Sequence, residues 1–416
     1  MNWVCLSFVL FFLVYNILVG SRRTFPLFFV FCMCGWRFYI VGPLSVIDVL
    51  IFIFVIKGLK IIQNNLVEKT YPFMFVSALS LISYFLSAIF AAKDPHWPYT
   101  ILTCLRSLGL PILFFTFVKD SSDVKRLFKY LFVAILIICA SCIFEVVAGT
   151  HLWLSLIRFY IDPEYGFDMG MNLRYGMSRV QSVFPQPISL GYWGATLFSF
   201  MLFFQKNIKS FLPVKSIKLC LILLLICSFL STSRVAIVAI ISTIILYSRK
   251  KILNPKYWIF SALLVFLAFL FFSDYFFTII QSVTNSENTE GSSIAMRSGQ
   301  LEVCLFYFAQ SPIVGLGTYA IFDIVGKYNS IILGAESIWF FLLVNNGLLG
   351  CLSYVCFYIK SMLFIPHWKW ECFSILIVQL FFNTFTSIPG FDVGFMLCIM
   401  LFIKKLFDMQ YHQIEC

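Results

Sequence analysis

Long apolar segments, separated by short polar or basic segments, run along the whole chain. Most are about 17 to 25 residues long, the length that an α-helix needs to cross roughly 30 Å of hydrocarbon. A helix also satisfies its own backbone hydrogen bonds, which hydrocarbon requires of any spanning segment. The pattern therefore predicts an all-α integral membrane protein, a polytopic bundle of about 12 or 13 transmembrane helices that forms a single domain over residues 1–416.

The predicted helices are residues 3–20, 24–41, 44–57, 72–91, 99–118, 128–147, 187–205, two within 219–247, 257–273, 336–358, 371–387 and 392–403. The first is expected to be a retained helix with the N-terminus outside, since no cleavage pattern precedes the basic segment 21–23. The run 219–247 is too long for one untilted crossing and is flanked by basic residues on both sides. We therefore predict a hairpin of two short helices with its tip at 231–234. Two larger loops, about 148–186 and 274–335, follow on the outer side.

The distribution of charge supports this topology. Of the 416 residues, 61% are apolar and only 12% are charged, and the mean hydropathy of +0.93 is far above that of soluble domains. A net charge of +11 would suggest nucleic acid in a soluble protein, but most Lys and Arg residues fall in alternate loops, as the positive-inside rule describes. We therefore predict no nucleic-acid partner, and a C-terminus on the inner side.

The cysteines do not indicate a metal site. The chain has 14 of them, and most lie within apolar segments, where cysteine behaves as a small hydrophobic residue. Cys139 and Cys142 lack further ligands at metal-binding spacing. We predict no metal and no cofactor.

Arg106 is a charge inside a predicted membrane helix. A charged side chain at the centre of such a helix costs about 2.5 to 3.5 kcal/mol on insertion scales. Three explanations stay open: a buried partner, a lipid phosphate, or a side chain that extends to the outer membrane surface.

Three pieces of sequence between residues 174 and 350 carry the candidate chemistry. The first runs from Arg179 to Pro187 and ends in Phe-Pro-Gln-Pro, and the second is the Ser-Thr-Ser-Arg segment at 231–234. The third begins at Arg297, passes the glycine-bearing turn 311–317, and continues from Glu336 to the Asn-Asn-Gly segment at 345–347. In order, spacing and common predicted side, the three pieces resemble the O-antigen polymerase and O-antigen ligase superfamily of bacterial envelope glycosyltransferases.

The resemblance implies a site for a lipid-linked pyrophosphate. Arginine holds such an anion with two parallel hydrogen bonds, and fixed guanidinium groups stabilise the charge that grows on the leaving pyrophosphate. The candidate substrate-binding residues are Arg174, Arg179, Gln186 and Arg234. The candidate catalytic residues are Arg297, which would stabilise the transition state, and Glu336, which would be the general base for the attacking sugar hydroxyl.

Each of these residues also has a simpler reading. Arg234 would then be an interfacial anchor, Arg179 and Arg297 would be exposed loop cations, and Glu336 would be a helix N-terminal charge that favours the helix dipole.

Glu336 also stands where the ligase branch of the superfamily has histidine followed by asparagine, whereas polymerases vary there and are often acidic. This difference favours a polymerase.

The function implied by the resemblance is that of an O-antigen polymerase in a bacterial inner membrane, acting in lipopolysaccharide biosynthesis. It would join oligosaccharide repeat units linked to undecaprenyl pyrophosphate on the periplasmic face. Membrane lipid and a chain-length regulator protein are the other expected partners. The alternatives are an O-antigen ligase, which transfers polymer to lipid A core, and a flippase of the lipid-linked unit. A flippase is expected to show two similar halves, and the sequence shows none.

Overall fold

Helices make up nearly all of the protein that the structure describes. The computed structural model describes residues 3–34, 39–68, 71–91, 96–151, 173–174, 177–184, 186–249, 294–328, 335–364, 369–386 and 392–411. The helices are α1 Trp3–Val19, α2 Ser21–Met33, α3 Val46–Val67, α4 Met74–Ile89, α5 Trp97–Phe117, α6 Ser121–Ala148, α7 Pro187–Phe203, α8 Gln205–Ile208, α9 Val214–Leu230, α10 Arg234–Ser248, α11 Ile294–Phe308, α12 Ala320–Tyr328, α13 Ile338–Leu363, α14 Lys369–Phe385 and α15 Asp392–Tyr411. Two short antiparallel hairpins pair β1 Tyr39–Val41 with β2 Leu44–Ser45, and β3 Leu173–Arg174 with β4 Met177–Ser178.

The architecture confirms the predicted class of all-α membrane protein. Helices α5, α6 and α13 are long and apolar enough to cross a membrane, and α1, α4, α7, α10 and α14 contain shorter apolar helices. The large apolar side chains of α1, α6 and α10 include many exposed ones, as expected for surfaces that face lipid. The predicted helix 257–273 lies outside the described residues, so the helix count stays a prediction.

The predicted hairpin within 219–247 is confirmed. Helix α9 ends at Leu230 and α10 begins at Arg234, and Thr232 between them adopts a left-handed conformation with φ +49°. Helix α7 packs closely against both arms of the hairpin. A Cβ added at Gly191 of α7 would lie 2.9 Å from the Cβ of Ala236, so this glycine permits the close approach of the helices.

Several element boundaries differ from prediction because polar residues extend or interrupt the apolar runs. Helix α6 begins at Ser121 instead of residue 128, since Asp120 and Asp123 form a capping box at its N-terminus. Helix α2 ends at Met33 instead of residue 41, and the chain then forms the β1–β2 hairpin. The predicted outer loop 274–335 contains the two helices α11 and α12.

One ion-pair cluster joins two segments that are both predicted to lie inside. Arg22, at the start of α2, pairs with Asp120 and Asp123 at the start of α6, and its Nε donates to Asp123 at 3.1 Å. The two segments therefore lie at the same end of the bundle, as the distribution of basic residues predicts.

Arg106 has a protein partner. It lies in a π-helical turn of α5, Leu105–Gly109, and its guanidinium makes two hydrogen bonds of 2.6 Å to the carboxylate of Asp48 and one of 3.0 Å to the carbonyl oxygen of Pro43. The Asp48 side chain is fully buried in the first turn of α3. Of the three explanations for Arg106, the structure favours the buried partner.

The glycine-bearing segment 312–317 pairs with a break in α13. A π-helical turn, Leu342–Asn346, interrupts this helix just before Gly347, which has φ +62°. Backbone groups left unpaired inside a membrane protein need partners. Those partners come from the facing segment: the N–H groups of Leu316, Gly317, Leu348 and Leu349 donate to the carbonyls of Val344, Asn345, Pro312 and Ile313 at 2.8, 3.2, 2.8 and 3.1 Å.

Replacing Gly315 by alanine is expected to destabilise the fold by about 3 kcal/mol, because two costs combine. Its φ of +75° disfavours any side chain, and a Cβ there would lie 2.5 Å from the backbone nitrogen of Asn346. Gly149→Ala is the matched control, with φ +65° and nothing within 4 Å of the added Cβ. Unfolding of the detergent-solubilised proteins should show that the control loses only about 1 kcal/mol of unfolding free energy. Equal losses for the two variants would contradict the backbone clash.

Candidate functional site

Arg297 and Glu336 form an ion pair. The Nη2 of Arg297 lies 3.3 Å from the Oε2 of Glu336, and the two side chains are 39% and 35% exposed. The same nitrogen lies 3.5 Å from the carbonyl oxygen of Phe385, whose ring centroid is 5.9 Å from the guanidinium carbon. The two predicted catalytic residues therefore meet in space, and both keep enough exposure to reach a ligand.

The local setting of this pair differs from prediction. Arg297 lies in the first turn of helix α11 and not in a loop, and α13 begins at Ile338, two residues after Glu336. Ser337 is the N-cap residue of α13 and accepts a hydrogen bond from the N–H of Trp339 at 3.3 Å. Glu336 therefore precedes the helix in an extended segment, because the serine cap, with its short polar side chain, sets the helix start.

Two side chains support this segment. Gln300, buried one turn after Arg297 on α11, accepts the backbone N–H of Glu336 at 3.2 Å through its Oε1. Trp339 donates its indole N–H to Thr384 of α14 at 3.1 Å and packs edge to face on Tyr354, with ring centroids 5.5 Å apart. Trp339 therefore has a structural role in joining α13 to α14.

The segment that carries Arg179 meets the hairpin that carries Arg234. The N–H of Val180 donates to the carbonyl oxygen of Leu230 at 3.3 Å, and Val180 is fully buried. Residues 231–233, which lead into Arg234, are also buried, and their turn is closed by a hydrogen bond from the Ser231 hydroxyl to the carbonyl of Ser228. Arg179 and Arg234 therefore lie on two backbone segments that are in direct contact.

The hairpin that carries Arg234 and the ion pair of Arg297 with Glu336 lie toward the same end of helix α14. Helix α10 packs on α14, and Arg249, which follows the last residue of α10, lies 3.6 Å above the ring of Trp370 near the start of α14. The two helices are therefore antiparallel, and each is roughly 20 to 25 Å long. Arg234, at the start of α10, then lies toward the end of α14 that carries Phe385 and contacts Arg297.

The other two predicted binding residues are less constrained. Gln186 precedes α7 with an exposed side chain, and its backbone carbonyl accepts the N–H of Ser189 at 3.0 Å. Pro187 occupies the first helical position, as predicted. The backbone of Arg174 pairs with that of Met177 in the β3–β4 hairpin, and the Arg174 side chain lies outside the described residues.

A buried carboxylate that the sequence did not predict lies close to the Arg179 segment. Glu145, in the last turn of α6, accepts the backbone N–H groups of Gln181 and Ser182, each at 3.2 Å. The same oxygen lies 3.2 Å from the Nδ1 of His151. A lone carboxylate in a predicted membrane helix is the signal that would have identified it, since such charges are costly in hydrocarbon.

Within the part of the chain that is described, no group of three or more His, Cys, Asp and Glu side chains is arranged to hold a metal ion. The described residues near this end of α14 include the cations Arg234 and Arg297 and the partly exposed carboxylate of Glu336. Such a set suits a phosphate-bearing ligand and a proton transfer.

Comparison with known families points to the same part of the chain. Residues 219–355 match the family model described as O-Antigen ligase. The matched residues, about a third of the chain, begin in α9, end in α13 and include Arg234, Arg297 and Glu336. The match supports a relationship to the O-antigen polymerase and ligase superfamily, whose members are glycosyltransferase-like membrane enzymes of polysaccharide assembly. It does not separate a polymerase from a ligase. No curated protein matches the chain.

Proposed function

We propose that this protein is an O-antigen polymerase of a bacterial inner membrane. It transfers a growing polysaccharide from undecaprenyl pyrophosphate to the nonreducing end of a new lipid-linked repeat unit. The reaction takes place at the end of the bundle that carries Arg234 and Arg297, which faces the periplasm in this proposal. No cofactor is needed, because the pyrophosphate is already an activated leaving group.

The observation that carries the proposal is the contact between Arg297 and Glu336, at 3.3 Å, beside the end of α14. An anion-binding cation and a carboxylate that can accept a proton are the two groups that this transfer requires. Their exposures of 39% and 35% leave both accessible from the polar side of the membrane. The hairpin that carries Arg234 lies toward the same end and is matched by the same family model.

In the proposed mechanism, the hydroxyl oxygen of the acceptor sugar attacks the anomeric carbon of the donor. The bond between that carbon and the pyrophosphate oxygen breaks, and its electron pair leaves with the lipid pyrophosphate. Arg297, Arg234 and Arg179 bind this anion, and their fixed positive charges stabilise it most in the transition state. Glu336 accepts the hydroxyl proton.

The ion pair also suggests an order of events. A guanidinium has five N–H donors, so Arg297 can bind a phosphate while it keeps a hydrogen bond to Glu336. An incoming pyrophosphate competes for the positive charge that otherwise neutralises the carboxylate. Donor binding would then prepare Glu336 to act as a base, which couples the proton transfer to the presence of the substrate.

An O-antigen ligase is the second candidate, because the matched family model is described by that name and does not separate a ligase from a polymerase. The acceptor would then be lipid A core, with the same donor chemistry. Glu336 argues for the polymerase, because the ligase branch has a histidine and asparagine pair at that position. A polymerase and a ligase would therefore differ in the acceptor that they bind and not in the arginines that bind the donor.

The deciding experiment is the lipopolysaccharide banding pattern of a host in which only this gene is deleted. The polymerase predicts core that carries a single repeat unit, because ligation continues while polymerisation fails. Complementation with the intact gene should restore the long-chain ladder.

Other patterns would contradict the polymerase. Bare core, with long polymer still attached to the carrier lipid, would identify a ligase. Bare core with only single units retained inside the cell would identify a flippase. An unchanged ladder would exclude all three functions in that host.

A further inference from the structure

Glu145 is a charged residue in an unfavourable position. It lies in the last turn of α6, a long apolar helix, and its side chain is fully buried. A carboxylate at this end of a helix meets the negative end of the helix dipole, and its burial adds a desolvation cost. Helix stability therefore gives no reason for a glutamate here.

The contacts of the Glu145 Oε2 atom offset part of this cost and join two distant parts of the chain. Its Oε2 accepts the N–H groups of Gln181 and Ser182 and lies 3.2 Å from the Nδ1 of His151, which is 4% exposed. His151 follows α6 closely, whereas Gln181 and Ser182 lie shortly before α7. One carboxylate oxygen therefore holds both ends of the long segment that connects these two helices.

This anchor lies close to the candidate site along the backbone. Ser182 has φ +51°, an uncommon conformation for a residue with a side chain, which two hydrogen bonds to the same oxygen help to hold. Val180, just before Gln181, donates to the carbonyl oxygen of Leu230, and Arg179 is the next residue back. The path from Glu145 to Arg179 thus spans only a few bonded and hydrogen-bonded groups.

We propose that Glu145 is a positioning residue. It anchors both ends of the segment between α6 and α7 and thereby holds the backbone of Arg179 against the hairpin that carries Arg234. Its part in donor binding rests on the proposed function, whereas the anchor itself does not. Glu145 does not touch the substrate and acts through Arg179.

Amide hydrogen exchange tests the anchor without any activity assay. In the purified, membrane-reconstituted full-length protein, Glu145→Ala should increase the exchange rate of the Gln181 and Ser182 amides at least about tenfold, since both lose an ionic acceptor. Val147→Ala is the matched control, because Val147 lies two residues further on the same helix and is 82% exposed. Amides of α14 should be unchanged in both variants. Unchanged exchange at 181 and 182 would overturn the anchor.

Glu145→Gln provides a second variant in case the alanine variant does not fold. Glutamine keeps the size of the side chain and one acceptor oxygen, but it lacks the charge. We expect exchange at 181 and 182 that is faster than in Val147→Ala and slower than in Glu145→Ala. Exchange equal to that of Val147→Ala would show that the carboxylate charge is not needed.

A double-mutant cycle tests the positioning role. If Glu145 acts through Arg179, Glu145→Gln should lower the transfer rate about tenfold in the wild-type background and less than about twofold in the Arg179→Ala background. A role in overall stability alone would give equal factors in both backgrounds, which would overturn the proposal. An inactive wild-type protein would overturn the proposed function, and the positioning role with it, whereas the exchange data would still decide the anchor.

Discussion

Replacing Arg297 by alanine is expected to lower the rate of oligosaccharide transfer by about 100- to 1,000-fold, the range seen when one preorganised donor to a developing anion is removed. The assay uses purified protein with a lipid-pyrophosphate-linked oligosaccharide and measures released carrier lipid. The loss should appear mainly in kcat, because the guanidinium interacts most strongly with the charge that grows in the transition state.

The same variant should remain folded. The ion pair between Arg297 and Glu336 is more than a third exposed on both sides, and such pairs contribute about 1 kcal/mol or less to stability. Arg297→Lys keeps the charge but loses the planar pair of donors, so we expect an intermediate rate. Glu336→Gln should also lower the rate, by about 100-fold or more for loss of a general base.

Arg249→Ala is the matched control for the Arg297 variant. It removes the same charge from the opposite end of the bundle, where Arg249 lies on the ring of Trp370. Its transfer rate should stay within about threefold of the wild type, since Arg249 is exposed and the stacking of an exposed cation on a ring contributes only about 0.5 to 1 kcal/mol. Similar losses in the two variants would contradict a site at Arg297.

Removing Arg106 is expected to have the largest effect on stability. Its partner Asp48 is fully buried, so Arg106→Gln leaves a buried carboxylate without its ion-pair partner, which costs about 3 to 5 kcal/mol in folded proteins. Denaturation of the detergent-solubilised protein with increasing mole fractions of SDS would measure this loss. The double variant Asp48→Asn, Arg106→Gln should recover most of it, because both charges are then absent. The asparagine oxygen can still accept the hydrogen bonds that the backbone N–H and the hydroxyl of Ser45 donate to Asp48, each at 2.7 Å.

An exposed ion pair on α15 gives the comparison. Lys404 and Asp408 are 33% and 37% exposed, and Lys404→Gln should cost no more than about 1 kcal/mol. If Arg106→Gln costs as little as this control, the contact between Arg106 and Asp48 does not contribute to the stability of the helix bundle. Failure of the double variant to recover stability would indicate that the two charges act separately.

The sequence identified most of the candidate site residues but did not predict which of them are in contact. The hairpin at 231–234 followed from the length of one apolar run and from its basic flanks, and the structure confirms it. Arg297 and Glu336 were identified as separate candidates 39 positions apart, and no local pattern indicates that they touch. Their contact depends on helix α11, which lies in a stretch that polarity alone predicted as a loop.

Glu145 illustrates the opposite case. Its partners are backbone N–H groups of residues 181 and 182, which every residue except proline carries, so no side-chain pattern could have predicted the pairing. The need for glycine at position 315 could not be predicted for the same reason, because an added Cβ would meet only backbone atoms of Asn345 and Asn346. In both cases the specificity arises from where the chain passes and not from which side chain it presents.

The sequence by itself determined the class of fold, a bundle of membrane helices, and the approximate helix positions, and it named the residues proposed to bind the lipid pyrophosphate. These properties depend on local composition and length, because hydrocarbon penalises any polar segment wherever it occurs. The tertiary structure decided which charges pair: Arg106 with Asp48, Arg297 with Glu336, and Glu145 with the backbone beside Arg179. Those pairings depend on helix packing between residues far apart in the chain, and helix packing is a property of the whole bundle.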